Sequence, residues 1–194
     1  MKKIWYILLA FGLACTNPFS TRTPEAPTGN QTIQPVNSLQ TNPDSLLAKL
    51  KYAFRDRNVN FYLDCLADAN TVHLNFTFVP QQNESYRLVA WTRQDEYNYF
   101  NRLVSNKDIE KITLQIYNLR PWSIIGSTQD TMQTRFNYEI ELDFKTRQEY
   151  YRGESVFKVV RSSQSLWYIT YWEDLALSAD HADSTWSTLK ANYR

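Results

Sequence analysis

The chain has 194 residues, enough for one ordinary domain with tails and too few for two full cores. Its 21 Lys+Arg and 20 Asp+Glu nearly cancel, which removes the global field that draws a protein onto nucleic acid or another polyanion. Aromatic residues reach 15 % against only 4 glycines, a composition suited to a compact, sheet-rich domain, while two cysteines, Cys15 and Cys65, are too few for a disulfide framework or a cysteine zinc site.

Lys2 and Lys3 precede an apolar run from Ile4 to Ala14, the charged start and hydrophobic stretch of a secretory signal. The run is far shorter than the about 20 residues a helix needs to cross a hydrocarbon core, and the polar TNPFSTRTP after Cys15 ends it. Gly12-Leu13-Ala14-Cys15 resembles the lipobox of bacterial lipoproteins, in which the cysteine becomes the lipidated first residue after cleavage. Gly12 stands where that family usually carries Leu, and Gly12-x-Ala14 also fits ordinary secretory cleavage, which would release a soluble chain. The resemblance implies a signal peptide over 1–14, lipidation at Cys15 and the membrane as a partner. Thr16, in place of the family's inner-membrane retention residue Asp, implies the outer membrane of a two-membrane bacterium.

Residues 16–42 hold four of the seven prolines among repeated Thr, Asn and Gln, and have too little apolar surface to offset their ordering entropy. This reading makes 15–42 a lipidated cysteine and flexible linker, with a reach on the order of 30 Å for a coil of that length, and leaves 43–194 as the folded domain.

Asn42-Pro43-Asp44 predicts a helix start, with a cap, a proline at the first helical position and an acid at the positive end of the dipole. Leu46, Leu47, Leu50, Ala53 and Phe54 form its apolar stripe, with Lys49, Lys51, Arg55 and Asp56 outside. NFYLDCLAD offers a second short helix, in which Cys65 reads as a small buried hydrophobe. TVHLNFTFV alternates as a strand, with Val72, Leu74, Phe76 and Phe78 on one face and His73 on the other. Thr92-Arg93-Gln94-Asp95 fits a capping box that opens a helix through Phe100 and Leu103. Four strands follow, Ile109 to Leu119, Met132 to Phe144, Tyr150 to Val160 and Leu166 to Leu175, and a short helix capped by Asp183 closes the chain with Trp186, Leu189 and Tyr193 on one side.

Helices segregated from a run of antiparallel strands indicate an α+β domain, a curved sheet wrapped around helices. This order, together with AFRDRNVNFYLDCLAD, Trp91 followed by TRQDEYNYFNRL, and the closing LWYITYWEDL, resembles the nuclear transport factor 2-like superfamily, also called cystatin-like or, in one branch, SnoaL-like. The resemblance covers about residues 43–177. It implies a cone-shaped pocket between sheet and helices, which members use for isomerisation, dehydration, cyclisation, ligand binding or no chemistry at all.

In such a pocket the inward face carries Phe136, Tyr138, Ile140 and Leu142, and Tyr62, Trp91, Tyr138 and Trp172 are the candidate ligand contacts. Enzymatic members need an acid or base there. Asp64, beside Tyr62, and Asp174, placed by strict alternation with Trp172, Thr170 and Tyr168, are the candidate catalytic carboxylates, while Glu139, Glu141 and Asp143 fall on the wet face. His73 and His181 lie far apart with no supporting motif, so no metal and no cofactor is expected. The preferred reading is a non-catalytic, membrane-anchored envelope lipoprotein that binds a small apolar ligand or an envelope protein. The rivals are a pocket enzyme of the isomerase, dehydratase or cyclase type, and a structural envelope component, a homodimer through the outer sheet face.

Overall fold

The computed structural model describes residues 40–194; the expected signal segment, Cys15 and the linker up to residue 39 lie outside the described residues. Helix α1, Pro43–Arg55, starts where its signals predict: the Asn42 side chain accepts from the Ser45 amide at 2.8 Å, and Ser45 Oγ accepts from the Asn42 amide at 3.1 Å. Asn58 caps α2, Val59–Asp64, which returns against α1. Lys49 departs from expectation. It is 1 % exposed, because its ammonium donates to Gln40 Oε1 at 2.7 Å and reaches Asp64 Oδ2 at 3.2 Å, and such partners make a buried cation tolerable.

The alternation read over 71–79 is strand only at its end. Asp68 accepts from the Asn70 amide and starts a short helix, α3, Ala69–Val72, which His73 closes in the left-handed region at φ 57°. Leu74 is consequently 48 % exposed, while Phe76 and Phe78 turn into the core ahead of and within β1, Thr77–Val79. Helix α4, Arg93–Ser105, opens on the predicted Thr92–Asp95 capping box.

The remaining strands are β2, Ile109–Tyr117; β3, Ser123–Ile124; β4, Thr131–Phe144; β5, Gln148–Arg161; and β6, Trp167–Leu175. They form one curved, open sheet in the order β1-β6-β5-β4-β2, with β3 beside β4; β1 runs parallel to β6 and the other pairs are antiparallel. In β4 the period of two is strict, and Phe136, Tyr138, Ile140 and Leu142 all face the helices and are fully buried. Glu139 and Glu141 lie on the outer face, where Glu139 pairs with Arg152 and Glu141 accepts from Tyr150. The sheet wraps α1, α2 and α4, and their apolar stripes (Leu46, Leu50, Phe54, Phe100, Leu103) make the core.

Strand β6 breaks the expected alternation. Lys158 pairs with Tyr171 and Val159 with Ile169, so Thr170 is an extra residue without a partner, a β-bulge whose hydroxyl donates to the Lys158 carbonyl at 3.2 Å. Trp167 and Ile169 face inward before the bulge, Trp172 and Asp174 after it, and Tyr168 and Thr170 do not share their face. After β6 comes α5, Trp186–Asn192, capped by Thr185 rather than Asp183, whose carboxylate instead accepts from Asn83 Nδ2 at 3.2 Å. Among the described residues no helix is long and apolar enough to cross a membrane.

Candidate functional site

The concave side of the sheet brings together Tyr62 from α2, Trp91 from the turn before α4, Tyr138 from β4 and Trp172 from β6, and all four are buried. What meets them is α5. The Trp186 ring lies edge-on to Phe54, Tyr138 and Trp172, with centroids 5.4, 5.0 and 4.3 Å away, and its ring N–H donates to Tyr99 Oη at 3.1 Å. Tyr62 stacks on Phe100 at 4.0 Å.

Two buried carboxylates organise this interior. Asp174 accepts from Tyr138 Oη at 2.6 Å on one oxygen, and from the Ser187 amide and hydroxyl at 2.7 and 2.6 Å on the other. Tyr138 Oη in turn accepts from the Trp186 amide at 2.7 Å, and Ser187 Oγ accepts from the Gln81 amide at 2.9 Å. Thus Asp174 and Tyr138 take up the first two amides of α5, which no intrahelical carbonyl can reach. Burial raises the Asp174 pKa above the usual aspartate value, against the pull of its donors. Burial beside that carboxylate pushes the Tyr138 phenol well above its ordinary range. Gly153 makes room for the phenol: a Cβ at this position would lie 2.3 Å from Tyr138 Oη.

The second carboxylate is Glu96, on the buried stripe of α4. It accepts from Tyr62 Oη at 2.6 Å and from Trp91 Nε1 at 2.7 Å, and it forms an ion pair with Lys190 of α5. The Lys190 ammonium also sits over the Phe78 and Trp172 rings, 3.4 and 3.7 Å from their centroids. Burial pulls its pKa down to about 8, although Glu96 and Asp174 both favour the charged form. Each interior acid therefore has three donors from its own chain, and the space against them is filled by Trp186 and Lys190.

Of the two carboxylates singled out in the sequence, only Asp174 belongs to this interior. Asp64 is half exposed and binds Lys49, away from the cone. Cys65 is buried, its thiol pushed up to about 12 by burial, which removes it as a nucleophile. His181 contacts Ser178 on the surface. Among the described residues no cluster of His, Cys, Asp or Glu could hold a metal ion. An open depression of about 560 Å³ is lined by Glu110, Lys111, Asp143, Phe144, Thr146, Arg147 and Gln148, and none of the interior residues borders it.

Sequence reading missed Glu96 and Lys190. Both carried a signal, since each occupies a position of its helix's apolar stripe: Glu96 with Tyr99, Phe100 and Leu103, and Lys190 with Trp186 and Leu189. A charge on such a stripe needs a partner, and each is the other's.

No family model matches the chain, and no curated protein matches it. Solved structures do. The β subunit of benzoate 1,2-dioxygenase from Burkholderia mallei is similar over 71 % of this chain and 93 % of its own, at 15 % identity and a TM-score of 0.54. A protein assigned as a scytalone dehydratase from Novosphingobium aromaticivorans is similar over 68 % of this chain and 78 % of its own, at 8 % identity and a TM-score of 0.54. A protein of unknown function from Mycobacterium tuberculosis is similar over 76 % and 85 %, at 13 % identity and a TM-score of 0.52. At these identities the likeness is one of fold: an α+β domain in which a curved, open, mixed sheet wraps a few helices.

Proposed function

We propose that this chain is a lipid-anchored protein of the bacterial envelope, non-catalytic in the narrow sense that its cone is a structural core, and that its domain binds an envelope protein. The observation that carries this reading is the filled cone: Asp174 and Glu96 are each bonded by three donors of the same chain, with Trp186 and Lys190 in the space a small apolar ligand would take. A general base must be within reach of a substrate proton, and with three of its acceptor sites taken by donors of this chain and no exposed surface, neither Asp174 nor Glu96 is. The outer sheet face carries the ion pairs Arg135–Glu154 and Glu139–Arg152, which disfavours a dry homodimer interface on it.

Native mass spectrometry of the full chain released from membranes tests the reading. It should carry no stoichiometric small molecule, and a retained apolar metabolite would replace the protein partner with a ligand. Lipid at Cys15 is tested by fractionation: Cys15→Ser should move the chain from the membrane to the soluble fraction, and equal membrane association would remove the anchor.

A second reading rests on the 2.6 Å contact between the buried Tyr138 phenol and Asp174, an acid–base pair in the cone of a fold that a protein assigned as a dehydratase shares. It requires α5 to leave. A substrate that entered would strip amide protection from Trp186–Asn192, and unchanged exchange across a panel of candidate substrates would dismiss it.

A further inference from the structure

We propose that the edge segment from Tyr117 to Ile125 docks on the lipid surface to which the chain is anchored, so that the domain rests on the bilayer by one fixed end. The proposal deepens the lipid-anchor reading and rests on it.

The segment exposes large apolar groups that the core does not use. Tyr117 is 39 %, Leu119 42 % and Ile124 50 % exposed, and Trp122 between them is half-buried. Their exposure does not come from a loose backbone. The Arg120 amide donates to the Arg135 carbonyl at 2.9 Å, Thr134 Oγ1 donates to the Arg120 carbonyl at 2.6 Å, Ser123 and Ile124 pair with Gln133 and Met132, and the Ile125 amide donates to the Thr131 carbonyl at 3.0 Å. A surface group held in place loses little further freedom on docking.

The segment also lies at the end of the domain from which the preceding chain departs. The Trp122 ring N–H donates to Asp44 Oδ1 in the first turn of α1 at 2.8 Å. Two residues before the Asn42 cap, Gln40 is buried, and its amide donates to the Asp64 carbonyl at 2.7 Å and to the Trp167 carbonyl at 3.0 Å. Trp167 opens β6 opposite Arg161, and Arg161 pairs with Asp130 at the start of β4. Gln40, the start of α1 and the Tyr117–Ile125 edge therefore share one end of the sheet. The β4–β5 turn at Lys145–Arg147 and the start of β2 at Ile109 form the other. Residues 1–39, Cys15 among them, join the domain at Gln40, so a lipid on Cys15 pulls on the end that carries the exposed residues.

The chemistry of the edge selects a bilayer interface. Leucine and isoleucine enter the acyl boundary, tryptophan and tyrosine settle at headgroup depth, and the exposed Arg120 reaches phosphate. Asp44 and Asp130 balance Arg120 and Arg161, so insertion of apolar groups rather than net charge drives the contact. So few side chains bind a membrane weakly alone, but a tether of this length holds them at an effective concentration in the millimolar range, where weak binding is occupied.

The full lipidated chain is reconstituted into phosphatidylethanolamine/phosphatidylglycerol vesicles with Ile124→Cys or, at the opposite end, Thr146→Cys labelled by an environment-sensitive dye. Lipidated Cys15 is blocked and Cys65 is buried, so the introduced thiol alone takes the label. The dye at position 124 should shift to the blue and be quenched severalfold more by bromolipids than the dye at 146. Vesicles that carry the chain while both dyes stay water-like would overturn docking and leave the anchor standing. A dye at 124 that is shielded but not quenched by bromolipids would replace the bilayer with a protein or a second copy. A chain that does not float, with Cys15 unmodified by mass, would remove the anchor reading and the proposal with it.

Discussion

Lys190 and Glu96, 94 residues apart in sequence, form an ion pair in which neither side chain is exposed. Such a pair is costly to break from one side, because the remaining charge stays buried without its partner. Glu96→Gln alone should destabilise the domain by about 3–5 kcal/mol, and the double variant Glu96→Gln/Lys190→Met should recover most of the loss. Urea denaturation of the four members of the cycle measures the coupling, and additive losses would show that the pair does not act as a unit.

The same pair predicts a pH dependence. In the folded chain Lys190 loses its proton near pH 8, whereas in the unfolded chain it does so near its ordinary value of about 10.4. Between these values the unfolded state binds more protons, so this contribution to stability rises with pH and is flat below the window. Cys65, raised to about 12, works in the opposite direction above pH 9, as do the buried phenols of Tyr62, Tyr99 and Tyr138 above about pH 10. The contribution is isolated by subtracting the stability curve of Glu96→Gln/Lys190→Met. The difference should climb between pH 8 and about 10; a level difference would mean that Lys190 titrates normally.

Asp174→Asn keeps the shape of the side chain but replaces one acceptor oxygen with a donor. The amide can still accept from Tyr138, yet it cannot also accept from the Ser187 amide, and the start of α5 is left with an unpaired N–H. A loss of about 1–3 kcal/mol is expected, with faster hydrogen exchange at Ser187 than elsewhere in the domain. Exchange raised equally everywhere would show that α5 has no separate dependence on this acid.

Gly153→Ala tests how tightly the phenol is held. The new methyl would lie 2.3 Å from Tyr138 Oη and 2.7 Å from the Leu175 carbonyl, one a packed ring and the other backbone. Overpacking of this kind costs about 1–3 kcal/mol, and thermal unfolding should report a lower midpoint. An unchanged midpoint would mean that β5 and Tyr138 separate readily.

Much of the scaffold was legible because its signals are local. The Asn42 and Thr92 caps act on amides three residues away, and the alternation from Phe136 to Leu142 is carried by one strand with one buried face. The strand expected over 71–79 failed for an equally local reason, since Asp68 captures the Asn70 amide and begins a helix before the alternation starts. The site was harder to read. Asp174 draws on Tyr138 and Ser187, 36 and 13 residues away, and Glu96 draws on Lys190; nothing in the neighbouring residues of either acid names its donors. Lys49 belongs with them, a charge whose burial depends on the side chain of Gln40.

The bulge at Thr170 makes residue number, rather than residue type, the determinant of the interior. Opposite the bulge β5 supplies one residue fewer, and that mismatch turns Trp172 and Asp174 toward α5 while Trp167 and Ile169 already face the same way. Deletion of Thr170 would restore continuous pairing and keep Trp167, Ile169, Trp172 and Asp174 on the inner face, whereas regular pairing with every residue retained would turn Tyr171 and Glu173 to the core and Asp174 to water. Loss of one residue at the bulge should therefore be absorbed, whereas straightening the strand with every residue kept should not, so variation in the length of β6 is expected at the bulge and not elsewhere in the strand.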